Sequence, residues 1–151
     1  MNLKVRKAIT SDIKIIEQFQ DNLVNFERIL DKRIKNGKVS YYNIKNLVKS
    51  RNAHFVVCES GKKIIGCGFG EIRKEPEWST DREFGYVGLM FVDEKFRSAG
   101  AGKIIISEII LWLQSKNIKE IRLKVYDKNE NAVAFYKKSG FKNFVIEMRL
   151  E

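Results

Sequence analysis

Apolar and charged residues alternate in "LKVRKA" near the start of the chain, the period of a half-buried strand. The period then lengthens. Ile16, Phe19, Leu23, Phe26 and Leu30 fall on one face of a helix that Thr10 or Ser11 can cap and Asn36-Gly37 stops. A shorter helix is predicted around Tyr41 to Lys49, with Ile44, Leu47 and Val48 inward. "HFVVCE" and "KIIGCGFGEIR" read as a hairpin turning at Ser60-Gly61. "KEPEWSTDRE", polar and holding the only proline, Pro76, is a loop, and "FGYVGLMFVDE" is a fourth strand. Residues 101 to 116 form a helix with a wide apolar face, suited to packing on a sheet. "EIRLKV" is a fifth strand. A last helix runs from Asn129 to Ser139 with Gly140 as its left-handed stop, and "FKNFVIEMRL" closes the chain as one or two strands. The order β-α-α-β-β-β-α-β-α-β predicts an α/β fold. Its central sheet is mixed and mostly antiparallel, with one parallel pair around the glycine-rich loop and helices on both faces.

Composition narrows the class. The chain has 151 residues, 44% hydrophobic and 32% charged, which predicts a single folded domain over residues 1–151. No apolar run reaches the ~18 residues of a membrane span, and "MNLKVRKAIT" lacks the apolar core of a signal peptide, so a cytoplasmic protein is expected. Cys58 and Cys67 lie in strand-like runs and His54 is the only histidine, so buried free thiols and no metal site are expected. The net charge is +10, but Glu71 to Glu94 holds seven acids and three bases. That island is net −4 and the remainder +14. The excess favours anionic partners. A nucleic-acid or ribosome-associated role is weighed on that ground. It is disfavoured because the cations are scattered, with no basic stripe interleaved with aromatics.

The chemistry-bearing stretch is "RSAGAGK", residues 97 to 103, between an apolar strand and an apolar helix. A phosphate-binding P-loop would need Gly at 97 and Ser or Thr at 104, where Arg97 and Ile104 stand. A dinucleotide fingerprint starting at Gly100 would end on Gly at 105, which is Ile105. Both fail. A helix start still offers unpaired N–H groups and dipole charge to a diphosphate, with Arg97 and Lys103 alongside. The competing reading is a tight turn with solvated basic flanks.

Two longer motifs bear on that choice. "LMFVDEKFRSAGAGKIII", with Arg97-x-x-Gly100-x-Gly102, resembles the acyl-CoA signature of the GNAT superfamily of N-acetyltransferases. "NENAVAFYKKSGF" resembles the second element of that family through Asn129, Ala132, Phe135, Tyr136, Gly140 and Phe141. The resemblance implies a GNAT-like fold and acetyl-CoA as cosubstrate. The CoA diphosphate would lie on the amides of Ser98, Ala99, Gly100, Ala101, Gly102 and Lys103, near Arg97, with Gly100 and Gly102 required because a Cβ would block its approach. The pantetheine arm would pair, strand-like, with Met90, Phe91 and Val92, and Asn129 would hydrogen-bond it.

The implied reaction is attack of an amine on the thioester. Tyr136 is expected to protonate the departing thiolate. Glu83 and Glu71 are the candidate bases, unless the neutral amine simply binds and no base is needed. The acidic island would draw a cationic amine over residues 71 to 86 and the first helix. Tyr41, Tyr42, Trp78, Tyr86 and Phe84 line an acceptor pocket or pack in the core. A small amine or polyamine, an aminoglycoside, a peptide N-terminus and a lysine all remain open as acceptor. So does a non-catalytic acyl-CoA sensor on the same fold. A homodimer is common in the family.

Overall fold

The computed structural model describes residues 2–151. Five strands, β1 (Leu3–Lys7), β2 (Ala53–Ser60), β3 (Lys63–Lys74), β4 (Glu83–Val92) and β5 (Ile121–Leu123), lie side by side in chain order. Every pair is antiparallel except β4 with β5, which is parallel. The helices are α1 (Ile13–Leu30), α2 (Ile44–Lys49), α3 (Ala101–Ser115) and α4 (Glu130–Lys138). The predicted mixed sheet, the turn at Gly61 (φ 61°) and the stop at Gly140 (φ 98°) are all present. Both cysteines are buried free thiols. Among the described residues no helix is long and apolar enough to cross a membrane.

The strands alternate their side chains between two cores. On one face Phe55, Phe69 and Tyr86 pack with Ile16 and Phe19 of α1 and Ile44 and Leu47 of α2. On the other, Val56, Ile65 and Val87 meet Ile105, Ile109 and Leu113 of α3, with Phe135 of α4 at the margin. Gly66, Gly68 and Gly70 fall at every second position of β3, on the face beneath α3. A Cβ at Gly70 would stand 2.7 Å from Ile109, and one at Gly68 would stand 3.0 Å from Ile105. Missing side chains there let the bulky face of α3 settle close to the sheet.

Three expectations are corrected. The first helix is not capped by Thr10 or Ser11. Those residues form a 3₁₀ turn, and the Asp12 carboxylate accepts from Ile9 N (2.8 Å) and pairs with Arg6 (2.7 Å). Helix α1 also stops at Leu30, well before Gly37. Asp31 is extended there, and Arg28 donates to the carbonyls of Lys35 (2.8 Å) and Gly37 (2.6 Å), folding the following loop back onto the helix. Finally, "FKNFVIEMRL" joins no ladder among the described residues. Strand β5 pairs over only three residues, too few to seat another strand beside it. Phe144, Ile146, Met148 and Leu150 are left 69 to 98% exposed.

Replacing Gly70 with Ala is expected to lower unfolding free energy by about 1–3 kcal/mol, because the new methyl overpacks the α3 contact. Urea denaturation measures it.

Candidate active site

Strand β4 is broken in its middle. Leu89 has φ 45°, and the β3–β4 register slips between Cys67 and Phe69, so Leu89 and Met90 stand opposite Gly68 as a bulge. The Cys67 thiol donates to the Leu89 carbonyl at 3.6 Å. Before the bulge, Gly85, Tyr86 and Val87 pair with Ile121, Arg122 and Leu123; beyond it β4 and β5 no longer pair. Phe91 and Val92 keep β3 on one side and leave their other edge without a ladder among the described residues. An extended ligand can add to such an edge as a strand would.

The glycine loop continues from that free edge. Arg97 donates to the Val92 carbonyl (3.2 Å), Ser98 has φ 65° and Gly100 has φ 93°. Ile104 N is the amide that reaches back to Gly100 O (3.2 Å), so the amides of Ala101, Gly102 and Lys103 precede the helix ladder and face outward. Residues 97 to 100 are exposed.

The two glycines have different reasons. A Cβ on Gly100 meets nothing within 4 Å, so this position needs glycine for its left-handed backbone. A Cβ on Gly102 would stand 3.3 Å from the Phe135 ring and 3.9 Å from Val92. The packing of α3 against α4 constrains this position.

Helix α4 packs Phe135 beside Gly102 at the start of α3. Asn129 caps it by accepting from Ala132 N (3.3 Å), which leaves its Nδ2 donors for other partners. Tyr136, half-buried, sits edge-on to Phe135 and Phe141, with ring centroids 5.2 and 6.0 Å away. Burial raises its phenol well above the usual range, and the nearby Tyr86 and Glu27 add to this, so it stays a neutral donor.

The two carboxylates singled out as bases sit in different settings. Glu83 begins β4, is exposed, and precedes Leu89 by six residues, about 20 Å of extended chain. Glu71 accepts from Arg73 Nε at 2.7 Å. The acidic island is partly neutralised in the same way, since Glu75 pairs with Arg122 at 2.7 Å. Trp78 is 83% exposed and packs in neither core. Two surface concavities, of about 260 Å³ beside Asp21, Arg28 and Gly37 and about 180 Å³ beside Asp81 and Glu83, lie away from the gap.

A residue that sequence reasoning passed over is Glu27. It continues the i, i+4 line from Phe19 through Leu23 on α1, whose inward side reaches β4 where Phe19 stacks on Phe91 (4.9 Å). Burial raises its carboxyl to about 7. A charged residue continuing an apolar helical line was the available signal.

The comparisons agree with this geometry. The Acetyltransferase (GNAT) family matches residues 19–141. The chain belongs to the GNAT family of acetyltransferases. An uncharacterized N-acetyltransferase of Methanocaldococcus jannaschii is 29% identical over 110 residues, which are 71% of this chain and 47% of the relative, so the match spans about half the length of that protein. A spermine/spermidine N(1)-acetyltransferase of Bacillus subtilis is 26% identical over 89% of this chain and 85% of its own. Among solved structures, a mutant of a Bacillus halodurans protein superposes with TM-score 0.87 at 22% identity, covering 98% of both chains. A predicted acetyltransferase of Clostridium acetobutylicum with acetyl-CoA superposes with TM-score 0.74 at 18% identity, covering 99% of this chain and 96% of its own. The GNAT-like fold implied by the two motifs is therefore the observed one.

Gly102→Val is expected to lower stability by about 1–3 kcal/mol in the absence of any ligand, because the side chain displaces Phe135. Thermal or urea unfolding of the free protein checks it.

Proposed function

We propose that the protein is an N-acetyltransferase that moves the acetyl group of acetyl-CoA to a primary amine by direct attack. The observation that carries this reading is the free edge of β4 running into a turn of unpaired amides. Acetyl-CoA is an elongated ligand with a diphosphate at one end and an acyl thioester at the other, and the chain offers a matching series of contacts. The amides of Ser98, Ala99, Gly100, Ala101, Gly102 and Lys103 hold the diphosphate, helped by the cations of Arg97 and Lys103. The backbone of Met90, Phe91 and Val92 pairs with the pantetheine arm, and Asn129 Nδ2 donates to it. Open space at Gly100 is consistent with a bulky anion at the turn.

Bound acetyl-CoA supplies an activated acetyl group. The residues of this chain then have two tasks. A backbone N–H at the bulge polarises the thioester carbonyl, and its alignment depends on the backbone that the Leu89 distortion sets. Tyr136 gives its proton to the departing sulfur, a role for which a half-buried neutral phenol is suited.

The acceptor class is supported by the relatives' names, which include a spermine/spermidine and a glucosamine 6-phosphate acetyltransferase. A homodimer is proposed on separate grounds. Phe144, Val145, Ile146, Met148 and Leu150 are exposed apolar residues of the last segment. Antiparallel pairing of two copies about Met148 would set Glu147 opposite Arg149 twice. Sedimentation velocity of the protein and of a Met148→Glu variant tests it.

Isothermal titration with acetyl-CoA is expected to give saturable one-to-one binding, with none for ATP or NAD. Gly100→Val should abolish that binding by forcing a β-branched residue into φ 93° at the turn. Absence of binding by the folded wild type would return the basic surface and nucleic-acid binding to the front. Tyr136→Phe is expected to lower kcat by about 10- to 1,000-fold while acetyl-CoA still binds. Thiol release measures turnover, and an unchanged rate would mean that water protonates the sulfur.

A further inference from the structure

Helix α1 buries a carboxamide. Gln20 stands between Ile16 and Val24 on the inward line of the helix and is 1% exposed. A polar group so placed is costly unless its hydrogen bonds are made. Here they go to one short segment, residues 40 to 42. Gln20 Oε1 accepts from Tyr41 N (3.2 Å) and Tyr42 N (3.1 Å), and its Nε2 donates to Ser40 Oγ (3.2 Å). Ser40 Oγ donates in turn to the Tyr42 carbonyl at 3.5 Å. Among the described residues no other hydrogen bond ties the backbone of this segment to another element.

The clamp places the Tyr42 ring on β4. That ring sits edge-on to Phe69, with centroids 4.9 Å apart, and its hydroxyl lies 3.3 Å from the Tyr86 hydroxyl. A Cβ at Gly88 would run into the Phe69 ring and stand 3.1 Å from the Tyr42 ring. Tyr42 therefore spans β4 from Tyr86 to Gly88, the residue just before left-handed Leu89. Beyond the bulge, Phe91 pairs with Cys67 and stacks on Phe19 at 4.9 Å. Two consecutive residues of α1 thus hold the two ends of the bulge, Phe19 directly and Gln20 by way of Tyr42.

One peptide lies between those ends. The Leu89 carbonyl accepts from the Cys67 thiol at 3.6 Å. The Leu89–Met90 peptide is trans, so the Met90 N–H points opposite to that carbonyl, away from Cys67. Its direction is set by how β4 enters and leaves the bulge.

We propose that Gln20 is a positioning residue for acetyl transfer, acting through Tyr42 to brace β4 at Gly88 and so aim the Met90 N–H at the thioester carbonyl. This rests on the acetyltransferase reading of the same site. A leucine in the left-handed region keeps that conformation only while its surroundings impose it, which makes a brace beside it consequential. A donor stabilises a developing oxyanion by being in place beforehand. A small rotation of the peptide therefore weakens it and leaves the diphosphate contacts at the glycine loop intact. Three hydrogen bonds from one enclosed carboxamide fix the segment more tightly than an apolar contact, which would let it slide.

The test compares wild type with Gln20→Met, Tyr42→Ala and the double variant. Gln20→Met keeps the side chain's length but cannot accept from the two amides. Tyr42→Ala removes the ring and keeps the backbone N–H that Gln20 holds, so it decides the matter even if Gln20→Met does not fold. The probe is acetyl-CoA labelled with 13C at the acetyl carbonyl. Bound to wild type, that carbon should resonate downfield of its position in free acetyl-CoA, as a hydrogen-bonded carbonyl does. Each single variant should bind acetyl-CoA within about threefold of wild type and move the resonance back toward the free position. Thiol release to hydroxylamine, a small nucleophile that needs few acceptor contacts, should fall about 10-fold, less than the ~100-fold or more expected for loss of a donor outright. Because Gln20 acts through Tyr42, the double variant should lose no more than the weaker of the two single variants. A carbonyl resonance unmoved in folded Tyr42→Ala or Gln20→Met would overturn the inference, and a lowered melting temperature alone would leave Gln20 a structural residue. Losses that multiply in the double variant would overturn it as well. Failure of wild type to bind acetyl-CoA, or to release its thiol to hydroxylamine, would instead overturn the acetyltransferase reading itself.

Discussion

The structure turns on one local conflict in β4. Strands β4 and β5 are parallel neighbours at Gly85 to Val87, and an undistorted sheet would keep them paired. The bulge at Leu89, with its positive φ, re-aims β4 after three paired residues and opens a gap between two strands of the same sheet. A left-handed conformation at a leucine costs about 1–3 kcal/mol, so it persists only where its surroundings hold it. Here β3 continues to pair on the far side at Phe91 and Val92, and the Cys67 thiol reaches the Leu89 carbonyl.

The neighbouring elements are arranged around that gap. Helix α3 starts where β4 ends, so its unpaired amides stand at the rim of the opening. Its apolar face is held close to the sheet by the glycines of β3, which fixes the loop that precedes it. Helix α4 packs Phe135 against Gly102 and thereby carries Asn129 and Tyr136 to the opening. On the other face, α1 stacks Phe19 on Phe91.

Charge is organised more locally than the net +10 suggests. Glu71 and Glu75 are each paired with an arginine, so the acidic island presents less field than its count implies. Glu27, half-buried on α1, has its carboxyl raised to about 7 by burial.

Much of this was legible in the residues. Periodicities of 2 and 3.6 placed all five strands and all four helices of the structure, because burial of one face leaves that spacing in the chain. The spacing of Arg97, Gly100 and Gly102, and of Asn129 and Gly140, marked a turn and two helix termini that the structure has, because these are local structures. The setting of each carboxylate was not legible. Glu71 and Glu83 were chosen for their strands, but whether a carboxylate is paired, solvated or buried depends on neighbours distant in sequence. The positions of Arg122 beside Glu75 and of Tyr42 beside Tyr86 are decided by tertiary packing. The same reason explains the last segment. Its alternating apolar residues specify an extended chain, but a strand also needs a partner edge, and only the tertiary structure decides whether one is offered.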